Sequence, residues 1–438
     1  MHRLSALVAV VLASAAVLSG QQTPQTPTFR GGTALVRIDV TVLDPAGKPV
    51  PGLTADDFEI TLDGRVQTVS TVDYQTTPTK PAVNAMSRRE ATNATPAPAS
   101  RLVVVLVDDL SIPATSHRDL FHAASRFVAG LPDSDLVGFT TTSGEAAINP
   151  TRDHAAVEVG LRRAVGKFTD LRSLPPDVVV GLNEAVEIEG GNRSLFTRVV
   201  ERECLEGRAA SARDLKSLCA DNVGRKARQI SALTQRTTDM QLATYRAVIN
   251  AMRPVEGEKA LVILSEGLIM PGARQGEDLR ALEREGATAG VHLSVLFPES
   301  DSLTMGASSP DEGKILRDDA QALRVGLQNI AGATGGDFYR VIGQPDRFFG
   351  FVADAISSVY HLGVEAPPDS TPGREFKLSV RVKRSDVTVR SNRVALHDAP
   401  AAPVPVDAQL QAVVARGEPK YGVPMAVGAV IRPGKTVD

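Results

Sequence analysis

The sequence predicts an α/β protein: a doubly wound, mostly parallel sheet flanked by a small antiparallel β-domain. Three observations carry this. Leu102 to Val107 is an unbroken, valine-rich apolar run, which suits a strand buried on both faces. From Arg101 to about Tyr360 such runs alternate with stretches of helical spacing, as parallel strands joined by crossover helices do. Before and after that region apolar and polar residues alternate, as in strands with one wet face.

In chain order, residues 1–20 read as a signal peptide. Met-His-Arg precedes an uncharged apolar run from Ala6 to Leu18, and small residues follow near Gly20. An uncleaved anchor is the alternative, although the run is short for a bilayer. No Cys follows it, which argues against a lipid anchor, and no later stretch approaches a transmembrane helix. The expected location is therefore exported, either periplasmic or secreted. In an oxidising compartment the lone pair Cys204 and Cys219 suggests a disulfide, with two free thiols as the alternative.

Residues 29–75 form the N-terminal β-strand domain. Val36 to Val42 and Phe58 to Leu62 alternate, and Asp63-Gly64 turns the chain into Val66 to Tyr74. Residues 76–100, rich in Pro, Thr, Ala and Ser, read as a flexible linker.

The α/β region spans 101–360. Its strands are expected at Val103–Val107, Leu136–Thr140, Ala260–Leu264, His292–Phe297 and Asp337–Arg340. Its helices are expected at His117–Gly130, Ala155–Val165, Asp177–Glu189, Asn222–Met252, Asp278–Gly290, Arg317–Ala331 and Pro345–Tyr360. Residues 189–220 break the alternation and read as an insertion. Residues 374–397 return to strands, Phe376–Val382 and Val387–Arg390, which are too few for a sandwich alone and are expected to pair with the N-terminal strands. The tail, 398–438, is weakly patterned, with one strand expected near Ala426–Ile431.

Asp108, Asp109 and Ser111 end the first buried strand. In open α/β sheets ligands bind outside the carboxyl ends of the strands, so these residues point to a binding site. The competing reading is that the carboxylates cap the following segment. Other chemistry finds no motif. His117-Arg118-Asp119-Leu120 mimics a kinase catalytic loop, but Ala124 stands where an Asn is required and no Gly-rich loop precedes it. Gly332, Gly335 and Gly336 follow a helix rather than a strand, so they do not read as a dinucleotide site. There is no Walker loop, and Ile263 stands where a nucleophile elbow at Ser265 needs Gly. A net charge of −3 and an aromatic content of 4% with no Trp argue against nucleic acid as a partner.

Three blocks, in order, resemble the von Willebrand factor A-related proteins of bacteria, the acidobacterial type in particular. They are Val36–Val40 with Leu53–Phe58 and Leu62–Gly64; Val105–Leu110 with Asp135–Gly138 and Leu264–Gly267; and Tyr360–Gly363 with Phe376–Val382. The resemblance implies a von Willebrand A, Rossmann-like fold and a metal-ion-dependent adhesion site. That site's pattern is Asp-x-Ser-x-Ser after the first strand, a Thr on another loop and an Asp after a later strand. Here Asp109 and Ser111 match, Pro113 stands where the second Ser belongs, and Glu266 stands where the later Asp is usual. Asp108 and Thr169 are further candidates. The expected site is thus degenerate, with weak Mg²⁺ or Ca²⁺ binding. The leading functional expectation is an exported, non-enzymatic binding or adhesion module that engages a protein partner. The alternatives are a structural envelope protein with a non-functional metal site and a hydrolase, for which no nucleophile and base pair can be argued.

Overall fold

The computed structural model describes residues 35–77, 101–204, 213–270, 272–299, 309–368 and 370–397. The signal segment, most of the linker and the tail, including the strand expected near Ala426–Ile431, lie outside the described residues.

Strict alternation builds the first part. β1 (Leu35–Leu43) buries Val36, Ile38, Val40 and Val42 on one face. β2 (Phe58–Leu62) does the same with Phe58, Ile60 and Leu62. β3 (Arg65–Gln67) and β4 (Val69–Thr76) follow.

The next stretch runs β5 (Arg101–Val107), α1 (Arg118–Ala129), β6 (Leu136–Thr141), β7 (Ala147–Thr151), α2 (His154–Arg163), α3 (Leu182–Glu189), α4 (Arg193–Cys204) and α5 (Arg213–Met252). It continues with β8 (Glu258–Leu264), α6 (Gly272–Ala289), β9 (Val291–Pro298), α7 (Pro310–Ala333), β10 (Asp337–Val341) and α8 (Pro345–Ala355). The chain closes with β11 (Ser358–Glu365), β12 (Glu375–Val382), β13 (Thr388–Ser391) and β14 (Val394–Leu396).

The result is a mixed α/β fold with one mostly parallel six-stranded sheet and two antiparallel four-stranded sheets. The six-stranded sheet has the order β10-β9-β8-β5-β6-β7, with only β7 antiparallel. Period-two alternation in β5 feeds both of its faces. Val103, Val105 and Val107 pack with α1, α2 and α8, while Leu102, Val104 and Leu106 pack with α5, α6 and α7. A strand that serves two cores has no wet face, which is why Leu102–Val107 lacks a polar residue.

The other two sheets, β13-β1-β11-β4 and β14-β12-β2-β3, share one core around Val36, Ile60, Tyr360, Leu362 and Phe376 and so form a sandwich. Segments from both ends of the chain interleave in it: β1 pairs with β13, and β2 with β12.

Several expected boundaries differ from the structure. The last helix stops at Ala355 instead of continuing to Tyr360, and Ser358–Glu365 becomes a strand between β1 and β4. The apolar spacing Phe349, Val352, Ile356, Tyr360 runs on past the helix end, and no Gly or Pro marks the stop. A boundary at residue 360 therefore falls inside a strand of the sandwich. The segment expected as a helix from Asp177 is helical only from Leu182. The described part of residues 189–220, expected as an insertion, contributes α4 and the first turns of α5, and a Cys204–Cys219 disulfide with a Cα–Cα distance of 5.9 Å joins them. A further small core gathers there, from Val180, Val186, Val199, Val223 and Ile230.

Candidate functional site

Chain order reverses direction between β5 and β8, so their carboxyl ends form the switch point at which open α/β sheets bind ligands. The Asp108 N–H donates to the Leu264 carbonyl at 2.8 Å, which locks the two strand ends together. Asp108, Asp109, Ser111, Ser265 and Glu266 all lie at this junction.

Asp108 points inward. Its Oδ2 accepts from Gln241 Nε2 at 2.6 Å, Ser265 Oγ at 2.6 Å and the Tyr245 hydroxyl at 3.1 Å. Burial pushes its carboxyl above the usual carboxylate range, against the pull of the Ser265 and Gln241 hydrogen bonds. Tyr245 is pushed well above its ordinary value by the same burial and by the neighbouring carboxyl. These contacts tie β5 to α5 and leave Asp108 Oδ1 buried without a hydrogen-bond partner.

Asp109 is also buried. Its Oδ1 accepts the Ser143 N–H at 2.9 Å and its Oδ2 the Ser143 hydroxyl at 2.6 Å. The Lys167 ammonium lies 3.6 Å from Oδ2, donates to Ser143 Oγ at 3.0 Å and pairs with Glu145 at 2.5 Å. The Glu145 hydrogen bond raises the Lys167 ammonium above its ordinary value, and the charge of Asp109 adds to that. Lys167 is placed by a close approach of two chains: its N–H donates to the Asp109 carbonyl at 2.6 Å, and a Cβ on Gly166 would sit 2.0 Å from the Ile112 carbonyl oxygen. Only glycine fits there.

Ser111 Oγ donates to the Asp108 carbonyl at 3.0 Å, lies 3.1 Å from Ser265 Oγ and accepts the Glu266 N–H at 3.0 Å. The Glu266 carboxylate pairs with His117 Nε2. His117 sits in the left-handed region, φ 60°, just before α1. That conformation costs on the order of 1 kcal/mol in a non-glycine residue and here aims the imidazole at Glu266. Thr169 makes no approach to Asp109 that parallels Ser143's; it lines the cleft described next.

Beside these residues opens a cleft of about 440 Å³. Its walls are largely apolar: Leu110, Phe168, Leu171, Leu174, Leu182, Leu233, Met240, Ile269 and Leu323, with Ser111, Lys167, Gln241 and Glu266 among the polar ones. Buried Lys226 pins one wall, its ammonium donating to the carbonyls of Arg172 at 2.8 Å, Pro176 at 3.2 Å and Leu174. Burial pulls that ammonium below its ordinary value. A larger cavity, about 540 Å³, lies at the seam between the parallel sheet and the sandwich, far from the strand ends just described.

The partners these side chains already hold decide whether a divalent cation fits among them. Both Asp109 oxygens already accept hydrogen bonds and face an ammonium, and the Ser111 hydroxyl already accepts an N–H, whereas Glu266 Oε1 lies against His117 Nε2 with neither atom hydrogen-bonded. Asp109, Ser111 and Glu266 in this arrangement do not fit an ion without displacing those partners. One Asp/Glu/His group among the described residues could hold a metal ion: Asp39, Glu258 and His361, each offering a ligand atom within 4.8 Å of the others. None of the residues expected as ligands belongs to it.

Reasoning from sequence missed Ser143, Lys167, His117 and Gln241. The hydroxyl run Thr140-Thr141-Thr142-Ser143 at the end of β6 was a usable signal for Ser143, because β6 neighbours β5. Lys167 and Gln241 carried none, since each comes from a loop or helix whose placement depends on tertiary packing.

Neither a protein-family profile nor a curated protein matches the chain. Among solved structures, the TFIIH p34 N-terminal domain is similar over 58% of this chain and 96% of its own, at 12% identity and a TM-score of 0.22. The NADH-dependent reductase A1-R′ complexed with NAD is similar over 57% of this chain and 97% of its own, at 16% identity and a TM-score of 0.15. At these scores neither likeness bears on the site.

Proposed function

We propose that the chain is an exported, von Willebrand A-related binding module that takes a segment of a protein partner into the cleft at the carboxyl edge of its parallel sheet. The observation that carries this reading is the apolar cleft of about 440 Å³ placed at the switch point and bordered by Ser111, Lys167 and Glu266. Apolar walls supply the affinity, and the few polar groups at the border orient the bound segment. Among the described residues no helix is long and apolar enough to cross a membrane.

The site is organised for holding rather than for bond making. The hydroxyls of Ser111, Ser143 and Ser265 are bonded to carboxylates, to the backbone or to one another. In this reading Asp109, Asp108 and Lys167 fix the orientation of these hydroxyls. In this reading Lys167 supplies the positive charge next to Asp109 that a cation supplies in an intact adhesion site.

A second reading keeps weak Mg²⁺ or Ca²⁺ at Asp109, Ser111 and Glu266. It is favoured by two carboxylates at the ends of neighbouring strands, and it requires Lys167 and His117 to withdraw. The test is capture of partners from envelope and medium fractions by the full chain, with chelator and with millimolar Mg²⁺, beside Met240→Glu. Met240 lines the cleft and its side chain is half exposed, so the charge blocks the cleft without entering the core. A partner lost with Met240→Glu and indifferent to chelator supports the first reading. A partner lost with chelator supports the second. A partner retained in both arms refutes the cleft.

A further inference from the structure

The sandwich meets the parallel sheet at the amino ends of its strands, and the contact is polar. The outward-facing residues Arg37 and Asp39 of β1 and His361 of β11 lie across from Glu258, the first residue of β8. Asp39 and His361 are register partners on adjacent strands. His361 Nδ1 lies 2.7 Å from Asp39 Oδ1, and its Nε2 lies 3.2 Å from Glu258 Oε1. The imidazole is 11% exposed. Two carboxylates from different sheets thus close on one ring in a half-buried place. Like charges so arranged call for a cation.

We propose that Asp39, Glu258 and His361 form a site for a divalent transition metal of the zinc class, which clips the sandwich to the parallel sheet. One atom from each residue lies within 4.8 Å of the others. Zinc bonds of about 2 Å place tetrahedral ligand atoms roughly 3.3 Å apart, so small side-chain rotations close the shell. One imidazole with two carboxylates suits zinc and its neighbours better than Mg²⁺ or Ca²⁺, which take oxygen ligands only. The cavity of about 540 Å³ is lined by Asp39 and Glu258 and gives an ion its way in. A water fills the fourth position from that side.

Arg37 is the competing cation. Its Nη2 lies 3.0 Å from His361 Nδ1 and its Nε 3.3 Å from Asp39 Oδ1. Its side chain is 61% exposed, so it is free to swing into solvent when a metal arrives.

The experiment uses the full mature chain, stripped with chelator and titrated with zinc chloride in a calorimeter. Wild type should bind one zinc per chain, and a 100-fold excess over Kd should raise the melting temperature by roughly 2–5 °C. His361→Gln and Glu258→Gln should each weaken binding by at least about 10-fold. Arg37→Ala should tighten it, and Asp109→Ala should leave it unchanged, which separates this site from the strand ends at the opposite edge. Absence of heat in wild type, or unchanged heat in His361→Gln, overturns the proposal and leaves an ion-pair cluster. Where a glutamine variant does not fold, X-ray absorption at the zinc edge of wild type decides: one imidazole with oxygen ligands supports the site, and two or more imidazoles refute it.

Discussion

The Lys167 ammonium lies 3.6 Å from Asp109 Oδ2, a carboxylate otherwise enclosed by the Ser143 N–H and hydroxyl. A metal ion was the expectation beside this aspartate, and the chain has a cation of its own there. A side chain tethered in place responds to neither chelator nor divalent ions.

Lys167→Met removes that cation and leaves the buried Asp109 to find another. The expected outcome is a melting temperature that rises with millimolar Mg²⁺ in the variant and stays flat in wild type. Thermal unfolding of both proteins with Mg²⁺ and with chelator is the measurement. A wild type that responds as strongly as the variant shows that Lys167 is not the substitute.

Gly166→Ala tests how the lysine is placed. The added Cβ would meet the Ile112 carbonyl at 2.0 Å and the Pro113 carbonyl at 2.7 Å, both backbone atoms. The loop after β5 must move, and a loss of more than about 1 kcal/mol is expected by urea unfolding, as for other backbone clashes. Unchanged stability would mean that the two loops are not packed this closely.

Asp319 caps α3, its oxygens accepting the N–H groups of Leu182 at 2.9 Å and Asn183 at 2.8 Å. Burial raises its carboxyl from 3.8 to about 6, even against those hydrogen bonds. The folded state therefore holds a proton that the unfolded state releases between about pH 4 and pH 6. This contribution to stability is fully present at the acid end of that window and is lost as pH rises through it, by at most about 1.4 kcal/mol per unit. Asp319→Asn should flatten that part of the stability–pH curve relative to wild type. Parallel curves from urea unfolding across pH 4–7 would contradict it.

The Cys204–Cys219 bridge closes a 15-residue loop at the junction of α4 and α5. Replacing both cysteines by alanine should lower stability by about 3 kcal/mol in the chain-entropy account. Reduction of wild type should shift the urea midpoint in the same direction. Equal midpoints for the reduced and oxidised protein would show that the bridge does not constrain the unfolded chain.

The parts of the fold that could be read from sequence are those in which one residue type does one job. Leu102–Val107 serves two cores and so reads as a buried strand, and Asp109 and Ser111 are legible because they follow it directly. β11 was hidden because Ile356 and Tyr360 continue the spacing of Phe349 and Val352, so a helix and a strand share one apolar rhythm. The site was legible only in its local half. Ser143 reaches Asp109 from 34 residues away, and Gln241 reaches Asp108 from 133. Contacts of that span follow from the packing of whole elements, not from spacing. The Asp39, Glu258 and His361 cluster was invisible for the same reason, since it forms only when the sandwich closes on the parallel sheet.

On the proposed reading a protein partner enters the cleft at the carboxyl edge. A photo-crosslinking residue placed at Met240, in the cleft wall, and another at Val66, exposed on the sandwich, test it directly. A partner adduct is expected from position 240 of the full chain and none from position 66. An adduct from position 66 with none from position 240 would contradict it.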